Sequence, residues 1–333
     1  MKRLFLALLV MVGLASCNNS FKINVNLENS DGKTVYLERY DGTKMNIMDS
    51  VVAKANQAAF TVKKNDNPDA YMIMMDGWKR PLAFFADNQD VTITGDCQIY
   101  NRIKVSASES QGKLNDFMVV ANQIVLDDDM YHYTAEFVKQ NLDNPLAPYV
   151  LYRYKWAYPV SDLENLAAEM PEDMQSGYKA LLLQYIEGLK NTEIGKPYIN
   201  FTQKDVNGED FSLSDVIGKS KVIILDFWAS WCPDCRRENP QLVEIYDEFK
   251  DKGLDIVSVS FDVDEVAWKK AIADDNLYWK NHVSDLRGWG NETADLYTIA
   301  FIPQNIVFDQ NGQIIGKNLV GDQLRDCVLS VLR

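Results

Sequence analysis

Leu225-Asp226-Phe227-Trp228-Ala229-Ser230-Trp231-Cys232-Pro233-Asp234-Cys235 decides the reading of the chain. The aliphatic run Val222 to Leu225 enters it as a buried strand does. Beyond it, Leu242, Val243, Ile245, Tyr246 and Phe249 follow at helical spacing. The two cysteines therefore fall where a strand turns into the N-terminus of a helix. Unpaired amides and the helix dipole stabilise negative charge there. A thiol in that first turn ionises more readily than a free cysteine, and the thiolate is the form that attacks disulfides. A second thiol three residues on lies one helical turn away, close enough to close a small disulfide ring.

The stretch resembles the thioredoxin superfamily, and within it the membrane-tethered thiol–disulfide oxidoreductases of the TlpA/ResA-like branch. Trp231-Cys232-Pro233-Asp234-Cys235 fits the family's Trp-Cys-x-x-Cys. Asp226 stands where the family keeps a buried acid at the strand end. Pro240 stands where its active-site helix carries a kinking proline. Ile302-Pro303 matches the cis-proline loop that faces the disulfide. A bare CxxC is a weak signal; these features in order within a strand–helix pattern are a strong one. The resemblance covers residues 194–333 and implies a thioredoxin-like α/β domain with a mixed sheet flanked by helices. Strands are expected at 222–227, 254–260, 305–308 and 313–318, the first two parallel and the last two an antiparallel hairpin around Asn311-Gly312. Helices are expected at 233–252, 265–275, 292–297 and 322–332.

The rest of the chain supplies context. Its 333 residues carry a net charge of −14 with no basic block, which argues against nucleic-acid binding because phosphate contacts need clustered Lys and Arg. Met1-Lys2-Arg3 followed by the apolar run Leu4 to Leu14 reads as a secretory signal. That run is too short to span a bilayer core of ~30 Å. It ends in Leu14-Ala15-Ser16-Cys17, which resembles the bacterial lipobox. The resemblance implies cleavage after residue 16 and lipid on Cys17, so that acyl chains hold the protein to a membrane. The expected location is the cell envelope, facing the periplasm or the cell surface. The alternative is an ordinary signal peptide with a chance cysteine.

Within residues 17–110, a period of two prevails from Phe21 to about Ser108. Phe21, Ile23, Val25 and Leu27 alternate with polar residues, further strand-like runs fall at 34–39, 58–63, 70–75 and 91–94, and Asp-Gly pairs mark turns. This predicts an antiparallel β-sandwich-like domain. It resembles the β-rich domain of unassigned function that precedes thioredoxin modules in envelope lipoproteins. Its aromatic and methionine run (Tyr71, Met72, Met74, Met75, Trp78, Phe84, Phe85) is read as core, with a client-binding surface as the alternative. Residues 111–193 read as a helical connector. Ser161-x-x-Glu164 looks like a capping box, and Tyr178, Leu181, Leu182, Tyr185, Ile186 and Leu189 form an apolar stripe. Asp127-Asp128-Asp129 reads as a solvated loop rather than a metal site.

What the resemblance implies for chemistry is dithiol exchange. Cys232 attacks a client disulfide; Cys235 resolves the mixed disulfide and releases the reduced client. Asp226 is the candidate base for the Cys235 proton, with a structural acid as the alternative. Pro303 has no amide proton, and Ile302 before it is expected to pair through its backbone with the client. Gln304 stands where the family often has threonine. Asp234 beside Cys232 opposes thiolate formation and Arg236 and Arg237 offset it, which predicts a reducing couple. No cofactor is called for, and the expected partners are client proteins with disulfides and a membrane-bound electron donor. Members of the resembled branch serve cytochrome c maturation or general disulfide repair.

Three other readings compete. Zinc needs two further ligands, and Cys97, Cys327, His132 and His282 are isolated. A thiol peroxidase wants a threonine three residues before the reactive cysteine, where Ala229 stands. A lipid-anchored binding or assembly module with an incidental redox site is the third. Cys97 and Cys327 read as inert core thiols, with a bridge between them as the alternative.

Overall fold

A computed structural model describes residues 19–333, apart from residues 43, 65–67 and 175. The expected signal segment and Cys17 lie outside the described residues. Two compact units emerge, one of residues 19–39 and 46–120, the other of residues 40–45 and 121–333.

The first unit holds β1 (Ser20–Glu28), β2 (Thr34–Tyr40), β3 (Met45–Val52), β4 (Gln57–Lys63), β5 (Asp69–Met75), β6 (Leu82–Ala86), β7 (Val91–Asp96), β8 (Lys104–Ser106) and α1 (Glu109–Ala121). Two four-stranded sheets, ordered β4-β1-β7-β8 and β3-β2-β5-β6, share one core. The period of two explains why: Phe21, Ile23, Val25 and Leu27 are buried, and Phe21 meets Tyr71 of the other sheet edge to face. Tyr71, Met75, Phe84 and Phe85 are likewise buried and Trp78 packs against the core, while Met72 and Met74 alternate to the other face of β5 and are half-buried, so most of the aromatic and methionine run is core. Every strand pair described here is antiparallel except β1 with β7, which run parallel with Ile23 opposite Val91. A parallel pair needs a long crossover, and β2 to β6 provide it. The Gln111 side chain accepts from the Phe85 amide at 2.7 Å, which ties α1 to this unit.

The second unit begins with α2 (Asp127–Lys139), α3 (Leu146–Arg153), α4 (Val160–Glu169) and α5 (Gly177–Asn191). The three aspartates form the first turn of α2, where the helix dipole favours them, rather than a loop. The expected capping box at Ser161 does not form. Pro159 sits at the N-cap of α4, Ser161 lies inside the first turn, and Glu164 pairs instead with Lys190. Ser176 caps α5, whose stripe buries Tyr178, Leu182 and Ile186.

The remaining elements are β9 (Thr202–Asp205), β10 (Asp210–Ser212), β11 (Val222–Trp228), α6 (Pro233–Phe249), β12 (Leu254–Ser260), α7 (Glu265–Asp274), β13 (Asn281–Ser284), α8 (Glu292–Tyr297), β14 (Gln304–Asp309), β15 (Ile314–Lys317) and α9 (Asp322–Leu332). The sheet order is β10-β9-β13-β12-β11-β14-β15. The pair β11·β12 is parallel and β14·β15 is an antiparallel hairpin, as expected. Every residue of β11 is buried, which fits a central strand covered on both faces. The helical segment packs closely on this domain: a Cβ at Gly188 would meet the Thr298 hydroxyl, so a larger residue there requires the Thr298 side chain to move. Lys317 also donates to the Thr192 hydroxyl at 2.9 Å. The incoming chain runs beside β15. The Gly195 amide donates to the Ile314 carbonyl, the Ile314 amide to Lys196, and the Tyr198 amide to Gly312.

Candidate functional site

The site begins where β11 ends. Cys232 is the N-cap of α6 and Pro233 its first helical residue, a position that needs no amide proton. A disulfide joins Cys232 to Cys235, with Cα atoms 5.3 Å apart. The Cys235 amide donates to Cys232 Sγ at 3.1 Å, so an orphan donor of the helix end points at the sulfur. This is the geometry that stabilises a thiolate. Cys232 and Cys235 are both buried, while the neighbouring Trp231 is 52% exposed. Pro240 lies inside α6, five residues beyond Cys235.

The turn carrying the disulfide is clamped from two sides. Asp262, just past β12, is buried and accepts from both the amide and the hydroxyl of Ser230. Arg236 reaches out of the first turn of α6 to an ion pair with Asp275 and donates to the Ser230 carbonyl at 3.1 Å. Asn239 donates to the same carboxylate. Arg236 is therefore occupied, and it is Arg237 that pairs with the exposed Asp234.

Across from the disulfide lies the loop before β14. The Ile302–Pro303 bond is cis, and the Ile302 carbonyl oxygen stands 3.9 Å from Cys232 Sγ. Gln304, at the position where the resemblance left client contact open, is turned inward. Its side chain accepts from the Ala300 amide at 3.2 Å and donates to Asn318 at 3.0 Å, which braces the loop internally.

A cavity is lined by Asp226, Trp228, Cys235, Glu238, Pro303 and Asn305, with residues of the turn before α9 closing it. The structure thus brings Asp226, Pro303 and the cysteine pair together. Burial pushes the Asp226 carboxyl up to about 7, the Glu238 charge adds to the rise, and a hydrogen bond from the Ser258 hydroxyl at 2.9 Å offsets part of it. Glu238, also raised by burial, was not singled out from the sequence. Its signal was available: it follows Cys235 by three residues on α6 and so shares its face. Ser258, Asp262 and Asp275 were missed because their relation to the site depends on strand pairing and long-range folding.

The other cysteines and histidines stay apart. Cys97 and Cys327 carry free thiols; Cys97 is buried and close to the Asn29 carbonyl, and burial raises the Cys327 thiol. His282 is buried, and burial lowers it to about 4. Among the described residues, no group of three or more His, Cys, Asp or Glu is placed to hold a metal ion. No helix among them is long and apolar enough to cross a membrane.

Residues 194–317 match the model of the AhpC/TSA family, and residues 21–114 match a domain of unknown function, DUF4369. The C-terminal part of the chain is a thioredoxin-fold domain of that family, and the protein is a thiol–disulfide oxidoreductase. Among its relatives is the thiol-disulfide oxidoreductase ResA of Bacillus cereus, 28% identical over 134 residues, which span 40% of this chain and 73% of that one. ResA of Oceanobacillus iheyensis is 35% identical over 111 residues, 33% of this chain and 55% of its own. Among solved structures, the thioredoxin domain of a thiol-disulfide oxidoreductase from Bacteroides vulgatus is 37% identical, covers 42% of this chain and 99% of its own, and has a TM-score of 0.40. The peroxidase reading gains nothing from the family match, since the position three residues before Cys232 holds the buried Ala229.

Proposed function

We propose that the protein reduces disulfides of client proteins in the cell envelope. The observation that carries this is a CxxC disulfide at a helix N-terminus, faced by a cis-proline loop and backed by a buried acid. In the reduced protein, the Cys232 thiolate attacks one sulfur of the client disulfide. A bond forms between Cys232 and that sulfur, and the other client sulfur leaves as a thiolate. The Cys235 thiol then gives its proton to the Asp226 carboxylate and attacks Cys232 Sγ. The mixed disulfide breaks, the second client sulfur leaves, and two electrons have passed to the client. A raised carboxyl at about 7 suits this exchange, because a base works best when its pKa lies near the working pH. Ile302 and Pro303 receive the client backbone beside the disulfide, the proline removing a donor that would otherwise compete.

The envelope setting rests on residues 1–17: a signal segment, then Cys17 carrying lipid that anchors the mature chain. A membrane-bound donor returns electrons to the Cys232–Cys235 disulfide. The clients are proteins with envelope disulfides, cytochrome c maturation being the particular process proposed. The proposed division is 17–110 for the β-rich domain, 111–193 for the helical connector and 194–333 for the redox domain.

The test is reduction of insulin by the reduced protein, with Cys232→Ser alongside. Loss of activity in the variant supports the reading; an inactive, well-folded parent refutes it. In its native envelope a Cys235→Ala variant should accumulate mixed disulfides through Cys232, and their absence would count against a client reductase.

A further inference from the structure

Asp226 is held by more than its burial. The Ser258 hydroxyl donates to Asp226 Oδ2 at 2.9 Å, and the Trp279 indole nitrogen donates to that same hydroxyl oxygen at 3.0 Å. Asp226 and Ser258 are direct partners in the β11·β12 register, and all three side chains are buried. Indole N–H is a donor only. The Ser258 oxygen must therefore accept from Trp279, and its one proton is left for the carboxylate. Trp279 is itself held by a parallel stack on His282, with ring centroids 5.3 Å apart, while His282 bonds the Leu277 carbonyl through Nε2 at 2.9 Å.

We propose that Ser258 and Trp279 are positioning residues for Asp226. The indole fixes the direction of the hydroxyl, and the hydroxyl engages Oδ2, which leaves Oδ1 to carry the proton exchanged with Cys235. This rests on the proposed role of Asp226 as the base. In client reduction the proton moves from Cys235 Sγ to Asp226 Oδ1 as the sulfur attacks. In the reverse direction, when a donor thiolate opens the Cys232–Cys235 disulfide, the proton returns from Oδ1 to the departing Cys235 sulfur. No further reactant is needed in either direction.

The charges around Asp226 are few. From α6, Cys235 and Glu238 share its cavity; from β14 and the loop before it come Asn305 and Pro303, which do not titrate. From the β13 side the titratable group is His282, whose burial keeps it neutral above about pH 4. The Ser258 hydroxyl is thus the group that favours the charged form of Asp226, set against burial and Glu238, which oppose it.

The experiment uses the reduced full chain mixed rapidly with 5,5′-dithiobis(2-nitrobenzoate) across a pH series. Attack by Cys232 releases one chromophore, and resolution by Cys235 releases the second. The second phase should speed up through the Asp226 midpoint as pH rises. Ser258→Ala should move that midpoint upward by about one unit, the equivalent of about 1.4 kcal/mol. Trp279→Phe, which keeps a ring on His282 but removes the N–H, should move it the same way by less. Ser258→Thr, which keeps the hydroxyl, should restore the parent midpoint. Asp226→Asn should abolish the midpoint, and adding Ser258→Ala to it should change nothing further. Infrared titration of the Asp226 carboxyl band in the oxidised protein reads the same shift without turnover. If Asp226→Asn abolishes the midpoint while Ser258→Ala and Trp279→Phe leave it in place, the relay is refuted and the base stands. If the midpoint survives Asp226→Asn, the base assignment falls and takes the relay with it.

Discussion

Asp226→Asn should stabilise the oxidised protein in a strongly pH-dependent way. The carboxyl ionises at about 7 in the fold and near its ordinary 3.8 in the unfolded chain. Between those values the folded state binds a proton that the unfolded state has shed. Stability therefore falls as pH rises through this window, and the full cost is reached only above the folded value. At 1.36 kcal/mol per pH unit, the gap is worth at most about 4 kcal/mol. Asparagine has nearly the same shape, still accepts from Ser258 and never ionises. The variant should match the parent near pH 4 and exceed it by up to that amount near pH 8.5, a rise in melting temperature of about 10 °C. The assay is thermal unfolding of the disulfide-bonded full chain at a series of pH values, followed by circular dichroism. The transition belonging to the redox domain is identified as the one that moves when reductant is added. A stability gain of equal size at both ends of the pH range would refute the reasoning, because a buried ionising carboxylate cannot act independently of pH.

Other expectations follow from neighbouring groups. Glu238→Gln should shift the Asp226 midpoint to lower pH, since the Glu238 charge is one of the forces raising it; the second phase of the dinitrobenzoate reaction reads this. Asp234→Ala should raise the redox potential of the cysteine pair, but only by about 10–30 mV against a glutathione buffer, because Arg237 already pairs with Asp234 at the surface. A fall in potential would contradict the charge argument. Arg236→Ala should cost about 2 kcal/mol in denaturant unfolding, between the values for surface and buried pairs, since it leaves the largely buried Asp275 without its cation. No loss of stability there would mean that Asn239 alone suffices to hold that carboxylate.

The parts of this molecule legible in the sequence are those set by local pattern. Val222 to Leu225 had to enter a central strand because four aliphatic residues in a row do not suit water, and helices α7, α8 and α9 were placed to within a residue by their polar starts and apolar stripes. Strand β13 was invisible for the opposite reason. Asn281, His282 and Ser284 look like loop residues, yet each is buried and satisfied by partners elsewhere in the fold: Asn281 by Asp255, His282 by Leu277, Ser284 by Ser260. Strand β3 was missed because Met45 to Val52 lies mostly exposed and shows no alternation. At the site, Cys232, Cys235, Asp226 and Pro303 were legible because a contiguous motif or a short interval marks them. Ser258 and Trp279 were not, because their link to Asp226 exists only once β12 has paired with β11.

The strip of chain from Gly195 to Tyr198 bonds to Ile314, the first residue of β15, and to Gly312 in the turn before it, and so covers the start of the sheet's last strand. An uncovered strand edge is a template on which other chains can add, and proteins that cannot hide such an edge tend to clump. A shortened redox domain should therefore keep those few residues: cut after them, it should retain its chemistry in dilute solution yet self-associate as its concentration rises.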